Sequence, residues 1–235
     1  MTDYSTKDFF ITPGKKAVQD FASLLAADYP IAISDWLKKG WELFKRDAGL
    51  SIVFTVIAVI AYVAAGFLIP FGIGSMVIGV PLFAGFIIIA LMLSRNQQSE
   101  FVRYFWGFRH LVPLLLFTIV STAFIFIGLV LFVIPGLYLT VAYLFAPYLI
   151  VDKNIDFWPA MELSRKKVNR HWVGIAAFCV VLLFINALAC IPLFIGLFIT
   201  IPVSLYALAA AYEDIFADRT AAEPDTGALT NLPPG

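Results

Sequence analysis

Three long stretches of the chain carry no Asp, Glu, Lys or Arg: residues 48–94, 110–151 and 172–212. Each runs to about forty residues, and a spanning helix needs about 20, so each stretch reads as two apolar helices reversed by a tight turn. Turn signals sit near the middle of each: Pro70-Phe71-Gly72, Pro135-Gly136, and Pro192 followed by Gly196. The pattern predicts spans at 49–69, 75–94, 111–134, 137–151, 173–191 and 196–215. The fourth is short for a bilayer, so it is tilted little, borrows part of the turn or crosses incompletely. Three partly re-entrant hairpins are the alternative architecture.

Before each apolar stretch lies a segment that mixes charge with aromatic residues. In the first, Ile33, Trp36, Leu37, Trp41 and Phe44 fall near one helical face, while Lys38, Lys39, Lys45 and Arg46 join Asp35 and Glu42 on the other. Such a helix is expected to lie in the headgroup plane, aromatic side down. The second holds Phe101, Tyr104, Phe105, Trp106 and Phe108 beside Arg103 and Arg109, an aromatic belt. The third holds Trp158, Met161, Val168 and Trp172 with Arg165, Lys166, Lys167 and Arg170. These ten cations are the candidate contacts for lipid headgroups or a partner, with a role in topology alone as the alternative.

The three units share a spacing. Each charged segment ends in an arginine (Arg46, Arg109, Arg170), and the turn proline follows 24, 26 and 22 residues later (Pro70, Pro135, Pro192). A second proline comes after a further 11, 12 and 10 residues (Pro81, Pro147, Pro202). This predicts a threefold repeat over 33–95, 97–152 and 157–216, with any pseudo-symmetry axis along the membrane normal. Proline inside a membrane helix frees a carbonyl, which only protein or water can satisfy. Pro81, Pro147 and Pro202 are therefore expected to kink their helices and face the bundle interior. Residues 1–32 form an N-terminal segment with a short amphipathic helix over 15–27, and 217–235 a disordered tail. No apolar run precedes Ile52, so the first hairpin is expected to insert the chain itself.

Composition agrees. The chain has 235 residues, 61% hydrophobic and 14% charged, against about 25% charged in ordinary soluble domains. Mean hydropathy is +0.91. So few charges cannot cover the surface of a soluble enzyme of this size, which leaves an all-α integral membrane protein. Formal net charge is zero, from 16 basic and 16 acidic residues, all outside the three apolar stretches. With every lysine and arginine on one side, the positive-inside rule makes that side cytoplasmic, with both termini there.

Chemistry is sparse. The predicted spans contain no ionisable residue, which argues against ion-coupled transport. There is no phosphate loop, zinc-protease helix or nucleophile elbow, no nucleic-acid signature and no implied cofactor. Cys179 and Cys190 lie eleven residues apart in one apolar run, about 16 Å along a helix and beyond disulfide reach. His110 and His171 occupy equivalent repeat positions, where interfacial anchoring explains them better than metal ligation. Asn186 is expected to tie helices together. Asp152, Asp156, Glu213 and Asp214 are expected to pair with nearby cations.

Several motifs carry a family resemblance. Pro135-Gly136-Leu137-Tyr138-Leu139, Phe145-Ala146-Pro147-Tyr148-Leu149-Ile150-Val151-Asp152 and Ala160-Met161-Glu162-Leu163-Ser164-Arg165 are three of them. Gly40-Trp41-Glu42-Leu43-Phe44-Lys45 opens the region and Tyr212-Glu213-Asp214-Ile215-Phe216 closes it. Together they resemble, over about residues 33–216, the bacterial membrane family named after the membrane domain of glycerophosphoryl diester phosphodiesterases and its stand-alone relatives. The resemblance implies a six-helix module of the bacterial inner membrane. It carries over no catalytic residue, because the phosphodiesterase activity belongs to a separate barrel domain.

Three functions compete. The favoured one is a non-enzymatic module that organises lipid, anionic lipid included, or a protein partner from the cytoplasmic face. The second is a transporter, channel or flippase for an uncharged or amphipathic substrate, with a cavity lined by Tyr62, Tyr138, Tyr143 and Tyr206. The third is an accessory subunit of a larger membrane complex. Small residues such as Ala58, Ala187 and Ala211 would also suit helix contacts within the chain or in a homo-oligomer.

Overall fold

A computed structural model describes residue 25 and residues 28–68, 72–191 and 194–216. Apart from Leu25, the predicted surface helix over 15–27 lies outside the described residues, as do Pro70, Pro192 and the predicted tail from 217. Every regular element among the described residues is helical. Helix α1 (Ile33–Leu68) is followed by α2 (Ile73–Ser94), and a 3-10 segment (Phe101–His110) leads into α3 (Leu111–Leu131). Then come α4 (Val133–Ala142), α5 (Ala146–Lys153) and α6 (Phe157–Val168), which runs through a 3-10 turn at Asn169–His171 into α7 (Trp172–Ala189); α8 (Leu197–Phe216) is last. Six stretches are long and apolar enough to cross a membrane: Ile33–Leu68, Ile73–Ser94, Phe101–Leu131, Val133–Lys153, Phe157–Ala189 and Leu197–Phe216. This is the architecture of a multi-pass membrane protein, in which helices satisfy their own backbone groups.

Burial sorts the spans. The second member of each successive pair is central: Ile87 and Ile89 of α2, Tyr148 and Ile150 of α5, and Tyr206 and Ala207 of α8 are fully buried. The first members are peripheral, with Ile60, Phe126 and Leu183 facing outward. Pro81, Pro147 and Pro202, all on central helices, are buried. Pro81 and Pro202 lie within α2 and α8, whereas Pro147 stands in the first turn of α5, after a break at residues 143–145. The fourth crossing is thus two short helices, not one kinked helix. Ser164 of α6 stitches the break: its hydroxyl donates to the Ala142 carbonyl at 2.7 Å and accepts from the Phe145 N–H at 3.2 Å.

Three expectations need correction. The segment 33–46 is no separate headgroup helix, but continues into the first span through a kink at Asp47 (φ −128°, ψ 18°). Its apolar face lies on α8, where Trp36 is fully buried and Gly40 lets the backbone of Ala207 approach; a Cβ at Gly40 would stand 2.6 Å from the Ala207 nitrogen. Small residues on both helices favour that contact, which is more extensive than the one α8 makes with α7. Secondly, the belt at 101–110 is a 3-10 segment seated on α2, not an α-helix. Gly107 meets the carbonyl of Pro81, and Gly85 meets that of Tyr104, with no room for a Cβ at either glycine. Thirdly, the second reversal occurs at Phe132, a single extended residue between α3 and α4. Pro135 and Gly136 fall in the first turn of α4, where proline costs no hydrogen bond. Gly128 and Gly136 face each other there at a distance only glycines permit.

Candidate functional site

The 3-10 segment has three residues per turn, so side chains three apart stack into ridges. Phe101, Tyr104 and Gly107 form the inner ridge against the bundle, and the last two are buried. Val102, Phe105 and Phe108 form an exposed apolar ridge. Arg103, Trp106 and Arg109 form the third. Both guanidinium groups lie over the Trp106 indole, with Arg103 5.1 Å and Arg109 4.7 Å from the ring centroid. Arg103 also pairs with Glu100 at 3.2 Å. Arg103 Nη1 also lies 3.8 Å from Met92 Sδ, so the remaining edge of Arg103 and the guanidinium of Arg109 are what the ridge offers to phosphate oxygens. The ridge is thus a rigid cationic strip flanked by apolar side chains suited to the membrane boundary.

Beneath it lies a polar cluster. Asp47 at the α1 kink is only 4% exposed. One carboxylate oxygen accepts from Tyr104 at 2.5 Å, Ser51 at 3.2 Å and Tyr206 at 3.4 Å, and the other accepts from Ser99. Ser51 also lies 2.5 Å from the Tyr206 hydroxyl and 3.0 Å from that of Tyr104. The carboxylate therefore joins α1, the 95–100 connection, the 3-10 segment and α8. It also stands at the N-terminus of the helical run after the kink, where the helix dipole favours negative charge. Its burial was missed because Arg46-Asp47 reads as a surface pair. One residue turns a helix by about 100°, sending Arg46 out to Asn96 and Asp47 inward. The available signal was Asp47, Ser51 and Thr55 at i, i+4 and i+8, a polar stripe on the buried side of an apolar helix.

The central helices are knotted at the same end. Arg95, just past α2, contacts Asp152 of α5 at 2.7 Å and Glu213 of α8 at 2.9 Å. Burial works against the Arg95 charge, but the two carboxylates outweigh it and hold the pKa above its ordinary value. Tyr212 donates to the second oxygen of Asp152 at 2.8 Å, and Ser94 donates to Glu213 at 3.2 Å. A cleft of about 210 Å³ opens beside this knot, between Met92, Gln97 and Val151. Asp214 accepts from the Trp36 indole at 2.8 Å and pairs with Lys39 at 3.1 Å. Asp152, Glu213 and Asp214 thus find cations as expected, whereas Asp156, at the start of α6, pairs with none among the described residues; no metal-binding cluster occurs among them.

The other candidate cations divide. Lys38, Lys45, Arg46, Lys166 and Arg170 are exposed, and Arg165 and Lys166 both pair with Glu162, at 2.9 and 3.2 Å. Lys167 is the exception. It is 1% exposed, its ammonium 5.6 Å from the centre of the Tyr29 ring, so it is no headgroup contact. Residues 28–32 form a strap over it: the Tyr29 hydroxyl donates to the Lys167 carbonyl at 3.2 Å, and Asp28 pairs with His171 at 2.8 Å. Burial, and then the Asp28 charge, push the Tyr29 phenol up to about 12. Asn186 ties α7 to α8 through Ser204 at 2.8 Å and Thr200 at 3.0 Å.

The four tyrosines considered for a lateral opening or central cavity do not line one space: only Tyr138 and Tyr143 lie near each other. Tyr206 is in the Asp47 cluster, Tyr138 stacks on Trp172, and Tyr62 lines a lateral groove. That groove, about 400 Å³ and largely apolar, is bounded by α1, α2, α3 and Pro147 of α5, with Gly79, Phe83 and Phe117 among its lining. Comparison with protein-family models, with curated proteins and with solved structures returns no match, so the site is read from its own geometry.

Proposed function

We propose that this chain is a non-enzymatic membrane module that gathers anionic lipid at its charged face, which we take to be the cytoplasmic face of a bacterial inner membrane. The reading includes the threefold hairpin repeat and membership of the phosphodiesterase membrane-domain family, with the three proline-bearing helices as the inner member of each repeat. The observation that carries it is the Arg103–Trp106–Arg109 ridge. Two guanidinium groups are held over one exposed indole by a segment locked to the core through Gly85 and Gly107. Pre-ordering the cations removes part of the entropy cost of gripping a headgroup. Lys38 and Lys45, exposed at the same end, add long-range attraction worth about 1 kcal/mol each near an anionic surface.

The test is lipid retention. The protein is extracted in mild detergent from mixed anionic and zwitterionic membranes, and bound lipid is counted by native mass spectrometry. Enrichment of anionic lipid that disappears in an Arg103→Gln/Arg109→Gln variant supports the reading. Equal retention by both proteins sinks it, and a stoichiometric protein partner in place of lipid would point to an accessory subunit. The lateral groove favours a second reading, a path for an amphipathic substrate between α1, α2 and α3. Lipid flux across protein-containing vesicles, with Gly79→Leu as the blocking variant, tests that one.

A further inference from the structure

The uncharged ends of the helices carry the four most exposed large apolar side chains among the described residues, Phe67, Leu68, Ile134 and Ile191. Arg95, Asp152 and Glu213 tie α2, α5 and α8 together at the charged end, so the other ends of these crossings all point away from it. There the described residues are bare hydrocarbon: Phe67 is 87% exposed, Leu68 81%, Phe132 73%, Ile134 78%, Ile191 77% and Ile195 66%. No charged residue occurs anywhere in 48–94, 110–151 or 172–212. The five tryptophans, at 36, 41, 106, 158 and 172, all lie in or beside the charged segments, so the far ends lack the indole girdle that marks a membrane–water boundary.

Lengths say where these ends stop. Helix α3 has 21 residues and α7 has 18, rises of about 31 and 27 Å at 1.5 Å per residue. The hydrocarbon core is about 30 Å thick, and a tilt of about 20° shortens each crossing further. Both helices begin just after a charged pair, Arg109-His110 and Arg170-His171, that anchors them at the near boundary. The far headgroup layer adds several ångströms that these crossings do not have. The link between α3 and α4 is one residue, Phe132, with no loop to reach further.

We propose that the far ends of the bundle, as far as they are described, never emerge into water. They stop among the acyl chains of the opposite leaflet, and the molecule meets the aqueous phase on its charged side only. The occupant of this apolar surface is lipid hydrocarbon, not a protein partner. The inference rests on the helices being embedded in the bilayer and not on which lipid the charged face selects, so it can fail while the preceding proposal stands, and the reverse.

The test uses single cysteines in a Cys179→Ala/Cys190→Ala background: Phe132→Cys and Ile134→Cys at the far end, and Gln98→Cys as the exposed control on the charged face. Each protein is reconstituted in dioleoyl phosphatidylcholine vesicles, dilute enough that a vesicle holds a single chain, with an impermeant maleimide on both sides of the membrane. Labelling needs the hydrated thiolate, so both far-end variants should react at least about tenfold more slowly than Gln98→Cys, and equally fast once dissolved in dodecyl sulfate. In thinner dilauroyl phosphatidylcholine vesicles their labelling should rise several-fold as the ends approach water. The proposal is overturned if Phe132→Cys and Ile134→Cys label as fast as Gln98→Cys in the thicker bilayer, or if bilayer thickness leaves their rate unchanged. Because both positions are exposed and make no core contact, the substitutions leave the packing intact, and a melting curve matching the background verifies it.

Discussion

Asp47 and Tyr104, 57 residues apart in sequence, meet at 2.5 Å inside the charged end of the bundle. The phenol spends its only proton on a buried carboxylate that three further hydroxyls also address. Asp47→Asn would turn an amide with its own two N–H donors toward those hydroxyls, so it should lower the melting temperature in detergent markedly. Tyr104→Phe removes one donor and should cost about 1–3 kcal/mol, the usual loss for a buried group left short of a partner. The two changes should be strongly non-additive in a double-mutant cycle, with a coupling of about 0.5–3 kcal/mol. Simple additivity would mean that the cluster does not act as a unit.

The seat of the 3-10 segment gives a second prediction. A Cβ on Gly107 would overlap the carbonyl of Pro81, a backbone atom that cannot rotate away. Gly107→Ala should therefore destabilise by about 1–3 kcal/mol, the common cost of overpacking. It should also abolish the ordered Arg103–Trp106–Arg109 stack, seen as a shift in tryptophan fluorescence. Gly49→Ala is the control: nothing lies within 4 Å of its Cβ position, and alanine favours a helix by up to about 1 kcal/mol, so it should be neutral or stabilising.

Much of the architecture was legible because lipid leaves a chain few choices. Uncharged runs of about forty residues are too long for one span, and six stretches long and apolar enough to cross follow. What misled was assigning every charged segment to the headgroup layer. Periodicity shows that Trp36, Gly40, Leu43 and Asp47 share a face, but not whether lipid or α8 covers it. Lys167 shows the same limit, since four cations in six residues look like a solvated patch until Tyr29 folds over one of them. The 3-10 segment was readable in principle. Arg103, Trp106 and Arg109 recur every third residue, as do Tyr104 and Gly107, a period that an α-helix does not keep on one face.

Ser164 bears on the broken fourth crossing. Its hydroxyl serves the Ala142 carbonyl and the Phe145 N–H, both buried where the helix is interrupted. Ser164→Ala should cost about 1–3 kcal/mol by orphaning these groups, with faster amide exchange at Phe145 while α2 stays protected. Unchanged exchange at Phe145 would show that the break holds without the stitch.

The Arg95 knot predicts a compensable loss. Arg95→Met takes away the cation shared by Asp152, whose side chain is 6% exposed, and Glu213, leaving Asp152 only the more distant Lys153 at 3.8 Å. Stripping a fully buried pair of one partner costs about 3–5 kcal/mol. The Arg95 side chain is 43% exposed, so solvent screening reduces this to about 1–3 kcal/mol. Asp152→Asn in the Arg95→Met background should recover part of the loss, because it removes the like-charge repulsion. A double variant no more stable than Arg95→Met alone would show that the arginine acts through packing and not charge.

The strap over Lys167 should respond to acid. The hydrogen bond from His171, followed by that from the Tyr29 N–H, holds the Asp28 carboxyl below its ordinary pKa of 3.8. A carboxyl whose pKa is lowered by folding contributes stability that is complete above the unfolded value and fades as the pH falls through the folded one. The Asp28 contribution to holding the strap should therefore be complete above about pH 4 and fade as the pH drops below that. Asp28→Asn should flatten that dependence while leaving the rest of the acid response intact. Proteolysis with pepsin, which is active in this range, reads it directly: cleavage near Tyr29 should accelerate on acidification in the parent protein. In the Asp28→Asn variant it should already be fast at the upper end of the range. Equal cleavage in both proteins at every pH would show that the Asp28–His171 pair does not hold the strap in place.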